Sequence, residues 1–150
     1  MRGILPQAND LDKVIDVMTY IHYHPGCSYD EIADYIGFAK RQAKYYADAC
    51  VYLNLVDEGV MPYVVCEDIF KNNPQNVKER VYERVILDDL MGQVYARLYV
   101  LPDSDIDAFA QTLVSEYHPE IVSSSTFERR AHNIVLWCKR IINSMNYKHH

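Results

Sequence analysis

The stretch that most constrains the fold is residues 28–58, where two helix signals flank a tight turn. Ser28 and Glu31 form a Ser-x-x-Glu pair, whose side chains can satisfy two backbone N–H groups at the start of a helix. Gly37 supplies the left-handed conformation that commonly ends a helix. A second helix is predicted over about residues 39–54. The order helix, tight turn, helix is typical of a helix-turn-helix.

The second of these helices has an apolar face and a polar face. The predicted buried positions are Ala43, Tyr46, Ala47, Cys50 and Leu53. The predicted exposed and functional positions are Lys40, Arg41, Gln42, Lys44 and Tyr45. Arg and Lys reach phosphates and guanine edges, Gln can bond adenine bidentately, and a Tyr hydroxyl can bond phosphate. This pattern favours a recognition helix that lies in a DNA groove, and its alternative interpretation is an ordinary solvated helix face.

The segments on either side complete a small domain. Asn9 or Asp10 is predicted to cap a preceding helix that runs to about Tyr23. After the recognition helix, residues 55–65 read as two short strands around a turn, with Pro62 confining the second strand to an edge. A helix-turn-helix followed by such a hairpin predicts a winged-helix domain over residues 1–71.

A second helical unit is predicted over residues 72–150, after a polar stretch that reads as a boundary. Its first helix would be capped by Asn76 and bend at Gly92. Its next helix would be capped by Asp103 or Ser104. The predicted fold class is therefore mainly α, with tandem winged-helix or helix-turn-helix units and a small β-hairpin wing.

The last helix is predicted over residues 125–143. Ser125 and Glu128 repeat the spacing of a capping box. Polar and basic residues cluster on this helix and are predicted to contact a neighbouring groove or the DNA backbone: Ser125, Thr126, Arg129, Arg130, Asn133 and Lys139.

Two runs of sequence carry a resemblance to a known family. The first is RQAKYYADA at residues 41–49, followed by YLNLV at 52–56, and the second is SSTFERRA at 124–131 with Trp137 downstream. They resemble the winged-helix modules at the N-termini of some type II restriction endonucleases and related restriction-modification proteins. The resemblance implies sequence-specific binding to double-stranded DNA, with a nuclease subunit or domain as partner.

No catalytic centre is predicted. No Asp is followed by a Glu/Asp-x-Lys triplet on predicted strands, an arrangement that would hold magnesium for phosphodiester cleavage. Acidic clusters such as Asp88–Asp89 are interpreted as solvated charges at helix starts rather than as metal ligands. We therefore expect no enzyme activity, no cofactor and no metal. The chain is expected to be a recognition part that acts with another subunit, or a recognition fragment of a longer enzyme.

Composition and charge limit which classes of protein remain possible. The chain has 150 residues and 49% hydrophobic content, enough for a packed core, and it shows neither an apolar run of membrane-spanning length nor a signal-peptide pattern. A cytoplasmic protein without membrane contact is the expectation. The four cysteines are widely spaced and are interpreted as free thiols, with Cys50 and Cys138 in the core. The tyrosines Tyr20, Tyr35, Tyr46, Tyr82 and Tyr95 are expected to fill helix interfaces, whereas Tyr45 and Tyr52 would face DNA.

The net charge of −6 is unusual for a nucleic-acid binder, because Lys and Arg supply most of the affinity for phosphate. Residues 1–70 hold five Lys and Arg against eleven Asp and Glu, and residues 71–150 hold ten against ten. In the first half, three of the five cations lie at the start of the predicted recognition helix. Two other hypotheses therefore stay open: a small transcriptional regulator that forms a homodimer through its C-terminal helix, and a winged-helix module for protein–protein assembly.

Overall fold

The computed structural model describes residues 5–57, 63–64, 67–70, 76–102 and 105–148. These residues form a mainly helical protein, which confirms the predicted class. The elements, in chain order, are α1 Leu11–Tyr23, α2 Tyr29–Ile36, α3 Lys40–Tyr52, β1 Val56–Asp57, β2 Tyr63–Val64, a 3-10 turn Glu67–Phe70, α4 Val77–Leu87, α5 Asp89–Val100, α6 Ile106–Tyr117 and α7 Ser124–Lys148. No helix in the described ranges is both long enough and apolar enough to cross a membrane.

The chain divides into two compact units, Met1–Val81 and Tyr82–His150. The division falls within α4, ten residues after the boundary predicted at 71/72. Each unit has its own set of mutually packed helices: α1, α2 and α3 contact one another in the N-terminal unit, and α5, α6 and α7 do so in the C-terminal unit.

The N-terminal unit begins with α1, which is capped as predicted. Asp10 adopts an extended conformation and its carboxylate accepts a hydrogen bond from the backbone N of Lys13 at 3.3 Å. Apolar side chains recur along one face of the helix and are buried: Leu11, Val14, Ile15, Val17, Met18 and Ile21. Burial of this stripe against α2 and α3 builds the centre of the unit.

The connection between α2 and α3 follows the sequence prediction closely. Ser28 and Glu31 form the reciprocal capping box at the start of α2. Gly37 ends the helix with a left-handed φ of +83°, where a side chain would be strained. Three residues, 37–39, separate the helices. The predicted inner face of α3 is buried throughout, with Ala43, Tyr46, Ala47, Cys50 and Leu53 all at most 5% exposed.

The predicted hairpin is present as an antiparallel strand pair after α3. Val56 pairs with Val64, and Asp57 pairs with Tyr63. Strand β1 contacts α3, and β2 contacts α1. Helix α3 ends at Tyr52, two residues before the predicted end, because Asn54 turns into the left-handed region with φ +58°. The connecting turn and Pro62 lie outside the described residues.

The largest correction concerns the start of the C-terminal unit. The sequence predicted one helix that bends at Gly92, but the chain breaks at Asp88 and continues as α5. Asp88 is 3% exposed, and its Oδ2 accepts hydrogen bonds from the backbone N atoms of Leu90 and Met91 at 3.1 and 2.9 Å. Gly92 is needed for another reason: a Cβ there would lie 2.3 Å from the carbonyl oxygen of Ile86.

Two predicted caps in the C-terminal unit are also wrong. Helix α6 is capped by Asp105, whose carboxylate accepts from the backbone N of Ala108 at 3.3 Å, rather than by Asp103 or Ser104, which lie outside the described residues. Helix α7 starts at Ser124, and the carbonyl of Ser123 accepts from the N of Phe127 at 2.9 Å. Ser125 is therefore inside the first turn and not the cap.

The core of the C-terminal unit lies between α5, α6 and α7. Trp137, the single tryptophan of the sequence, is 1% exposed, although the sequence analysis did not place it inside. Cys138 is fully buried beside it, as predicted. Helix α7 reaches Lys148 rather than residue 143. No strand occurs among the described residues of this unit.

Candidate nucleic-acid interface

The first turns of α3 form the basic surface that the sequence predicted. Lys40, Arg41 and Gln42 are exposed, and Lys44 and Tyr45 are partly exposed. Ala39, at the N-cap, offers no side-chain acceptor to the first backbone N–H groups. Unpaired N–H groups and the positive end of the helix dipole attract anions. We call these five residues, 40–42, 44 and 45, the α3 basic surface.

Both lysines of this surface contact carboxylates of their own unit. Lys40 Nζ lies 3.6 Å from Asp30 Oδ2, and the two side chains are 65% and 70% exposed. Lys44 Nζ lies 2.8 Å from Asp48 Oδ1, one turn further along α3, and also 5.1 Å from the centre of the Tyr29 ring. An exposed pair such as Lys40–Asp30 contributes only about 0–1 kcal/mol. A phosphate can therefore replace the Asp30 carboxylate at small cost, whereas the Lys44–Asp48 pair is partly buried.

Arg41 and Tyr45 act as one structural pair. Arg41 Nε donates a hydrogen bond to the Tyr45 hydroxyl at 2.9 Å, and the guanidinium carbon lies 5.7 Å from the centre of the Tyr45 ring. The Tyr45 hydroxyl holds the Nε edge of the guanidinium. The two terminal nitrogens can still bind guanine or phosphate in a forked geometry. The structure thus brings Tyr45 to Arg41, a contact that the sequence analysis did not predict.

Tyr52 was predicted beside Tyr45 on the DNA-facing side, and this placement is wrong. Its side chain is 3% exposed, because position 52 lies on the inner face of α3. Tyr46 is also buried, and its hydroxyl donates to Asn9 Oδ1 at 3.0 Å, which ties α3 to the residue before the α1 cap. Burial raises the pKa of the Tyr46 hydroxyl above its usual range.

The predicted residues of α7 belong to the other unit and differ in accessibility. Ser125, Arg129 and Lys139 are exposed, and Thr126 and Arg130 are partly exposed. Asn133, by contrast, is 4% exposed, because it lies on the face of α7 that packs into the core. A side chain so placed does not reach DNA in this structure. We therefore remove Asn133 from the candidate site.

The described residues offer no group of three His, Cys, Asp or Glu side chains arranged to hold a metal ion. Cys27, Cys50 and Cys138 are free thiols, as predicted, and all three are buried, although burial was predicted only for Cys50 and Cys138. Cys66 lies outside the described residues. Burial raises the pKa of Cys50 strongly and raises the pKa of Cys138 to about 12, so that neither forms the reactive thiolate at neutral pH.

A surface that the sequence analysis missed lies on α1 and α2. Tyr20 and Tyr35 were expected to fill a helix interface, and they do stack on each other, with ring centres 4.7 Å apart. Tyr35 nevertheless remains 57% exposed. His24, the C-cap residue of α1, stacks on Tyr20 at 4.2 Å. The sequence feature that could have predicted this stacking is the four-residue spacing of Tyr20 and His24 at the end of a helix.

Comparison with known proteins identifies a family. Residues 13–146 match the family described as Domain of unknown function (DUF7226). Because the match covers most of the 150 residues, the chain belongs to this family. No curated protein and no solved structure matches the chain.

Proposed function

For this member of the DUF7226 family, we propose that the N-terminal unit is a winged-helix module that binds double-stranded DNA sequence-specifically through α3. The observation that carries the proposal is the three-residue turn between α2 and α3, which leaves Lys40, Arg41 and Gln42 exposed at the start of α3. In helix-turn-helix proteins the N-terminal residues of the second helix contact base edges in the major groove.

Each residue of the α3 basic surface has a role in this proposal. Arg41 and Gln42 would read bases, since their forked side chains match guanine and adenine edges. Tyr45 would hold Arg41 in place, as it does in the free protein. Lys40 and Lys44 would exchange their carboxylate partners for phosphates, and the β1–β2 pair would be the wing.

The exchange of partners explains how an acidic chain can bind DNA. Each lysine that moves from a carboxylate to a phosphate releases a condensed counterion, which favours binding at low salt. The displaced carboxylates of Asp30 and Asp48 stay near the interface and repel the backbone. Non-specific affinity should therefore be weak, and base contacts should supply an unusually large share of the specific affinity.

The resemblance to restriction-modification proteins suggests the biological setting. In that setting the module would act in the cytoplasm beside a nuclease subunit or domain that supplies the catalysis. The exposed cations of α7, Arg129 and Lys139, would add backbone contacts, with Ser125, Thr126 and Arg130 nearby on the same helix. The proposal does not require the C-terminal unit to be a second winged helix.

The test compares three single substitutions in fluorescence anisotropy with a duplex selected from a random library. Arg41→Ala should weaken binding to the selected duplex by about 1–3 kcal/mol and relax the base preference. Lys44→Ala should weaken binding to all duplexes alike. It should also reduce the slope of log affinity against log salt concentration by about one charge.

The control substitution is Lys78→Ala, which removes a partly exposed lysine of α4 that pairs with Asp12 at 3.8 Å. It should leave the affinity and the salt slope unchanged. Equal, sequence-independent losses for Arg41→Ala and Lys44→Ala would refute the assigned roles.

One observation favours a second function, assembly with other proteins. The exposed face of α2 is acidic, with Asp30, Glu31 and Asp34 all exposed, and such a face repels nucleic acid. A module built only for assembly would show no salt-dependent DNA binding, and Arg41→Ala would leave its interactions with DNA unaltered.

A further inference from the structure

Three stacked aromatic rings lie on α1, at its C-cap and on α2 of the N-terminal unit. The Tyr20 ring is 4.2 Å from His24 and 4.7 Å from Tyr35 between centres, with interplanar angles of 20° and 26°. Two nearly parallel rings this close cannot share one face of Tyr20, so His24 and Tyr35 occupy opposite faces. We call Tyr20, His24 and Tyr35 the aromatic stack.

The Tyr35 end of the stack is accessible. Tyr35 is 57% exposed, whereas the central Tyr20 is half-buried. A flat aromatic face that remains open beside two stacked neighbours can receive another planar group without rearrangement.

Two exposed carboxylates of α2 lie near this end of the stack. Glu31 lies one helical turn before Tyr35, on the same side of α2. Asp34 precedes Tyr35 in the chain and lies on the adjoining face of α2, one turn after Asp30; the carboxylates of Glu31 and Asp34 are both exposed. Asp34 forms no ion pair with any residue that the structure describes. Partial burial, followed by the negative charges that include Glu31 and Asp34, raises the pKa of Tyr20. The carboxylates of Glu31 and Asp34 add negative charge near this end of the stack.

The stack is separate from the α3 basic surface. On one flank of α2, Asp30 pairs with Lys40 of α3. On the other flank, Tyr35 stacks on Tyr20 of α1. A planar group stacked on Tyr35 would therefore leave the start of α3 free.

We propose that the aromatic stack, with Glu31 and Asp34, is a docking surface for an arginine-containing segment of a protein partner. A guanidinium is planar and cationic, so that it can stack on the open face of Tyr35 and pair with a neighbouring carboxylate at the same time. A lysine ammonium would gain the charge interaction without the stacking. A nucleobase would gain the stacking, but its phosphates would meet the carboxylates.

This docking surface does not depend on the proposed DNA binding. It assigns the N-terminal unit a second partner, of protein rather than nucleic-acid chemistry, on a different pair of helices. Both partners could be bound at once.

The experiment titrates the full chain into a fluorescein-labelled peptide of alternating Gly and Arg, and into the matching peptide with Lys. Removal of the Tyr35 ring in Tyr35→Ala should weaken binding of the Arg peptide about three- to fivefold, the range expected for an exposed cation–π contact. Replacement of Arg by Lys in the peptide should weaken binding to the unmodified protein similarly. Tyr35→Phe should bind the Arg peptide as the unmodified protein does.

Two further variants separate stacking from general attraction to an acidic protein. Asp34→Asn, at an exposed helix position, should weaken binding of the Arg peptide about twofold or more. Tyr99→Ala removes a tyrosine that is 61% exposed in the C-terminal unit and should change nothing.

Three results would overturn the proposed docking surface. They are equal affinities of Tyr35→Ala and Tyr99→Ala for the Arg peptide, equal affinities of the unmodified protein for the Arg and Lys peptides, and Tyr35-dependent binding of an oligothymidylate in place of the Arg peptide. Its failure is distinguishable from failure of the DNA proposal. Arg41→Ala should leave the peptide affinity unchanged, and Tyr35→Ala should leave the affinity for duplex DNA unchanged.

Discussion

Asp88 controls the stability of the C-terminal unit, because its buried carboxylate holds the start of α5. In Asp88→Ala the backbone N atoms of Leu90 and Met91, now 3.1 and 2.9 Å from Asp88 Oδ2, lose their acceptor. Loss of an N-cap acceptor costs about 1–2 kcal/mol, and loss of a partly buried charge at a helix N-terminus costs up to about 2 kcal/mol more. The free energy of unfolding should therefore fall by about 1–4 kcal/mol.

The matched variant Asp88→Asn keeps one acceptor oxygen for the cap, removes the charge and puts an NH2 group in place of the second carboxylate oxygen. Its free energy of unfolding should fall by about 1 kcal/mol.

Urea unfolding followed by tryptophan fluorescence measures both variants. Trp137 is the single tryptophan and is 1% exposed on α7, so its emission reports the C-terminal unit. With a urea m-value of roughly 1.5 kcal/mol/M, a loss of about 3 kcal/mol lowers the midpoint by about 2 M. If Asp88→Ala and Asp88→Asn shift the midpoint equally, or by less than about 0.3 M, the reasoning about the cap is refuted.

Three other expectations follow from single contacts. Gly92→Ala should destabilise the same unit by about 1–3 kcal/mol in the same assay, despite the better helix propensity of Ala, because the new Cβ would meet the Ile86 carbonyl oxygen at 2.3 Å. Cys138, whose pKa burial raises to about 12, should resist alkylation at pH 8 in the native protein and react in 6 M urea, as peptide mass mapping would show; rapid native labelling would contradict its burial. Asp48→Asn should strengthen duplex DNA binding about two- to threefold at low salt, because it releases Lys44 and removes a repelling charge; weaker binding would count against contact of Lys44 with phosphate.

The sequence was most informative where structure depends on neighbours in the chain. The capping box at Ser28, the turn at Gly37 and the buried face of α3 were all predicted, because each depends on residues within about one turn of a helix. The strand pair after α3 followed from the same kind of local pattern.

Errors arose where packing decided between local options. Gly92 looked like the bend, but the chain breaks at Asp88, because packing buries the Asp88 carboxylate as a cap and leaves no room for a side chain at 92. Ser125 has a cap-like spacing to Glu128, yet α7 starts one residue before it. The periodicity of apolar residues alone could not show where α4 breaks or where α7 starts.

The residue types of the candidate site were predicted from the sequence, but their contacts were not. Tyr52 and Asn133 were placed on DNA-facing surfaces, whereas both are buried, because a small rotation of a helix moves a boundary position into the core. The hydrogen bond from Arg41 to Tyr45 and the stacking of Tyr35 on Tyr20 depend on side-chain conformations, which the sequence does not specify.

The central claim is that α3 binds duplex DNA, and selection from a random duplex library at about 50 mM salt tests it most directly. The affinity of the winning duplex and of a scrambled duplex would then be measured at increasing salt. We expect one enriched sequence, bound on the order of a thousandfold more tightly than the scrambled duplex, with an affinity that falls as salt rises. No enrichment, together with no salt-dependent binding, would contradict the claim and favour protein assembly.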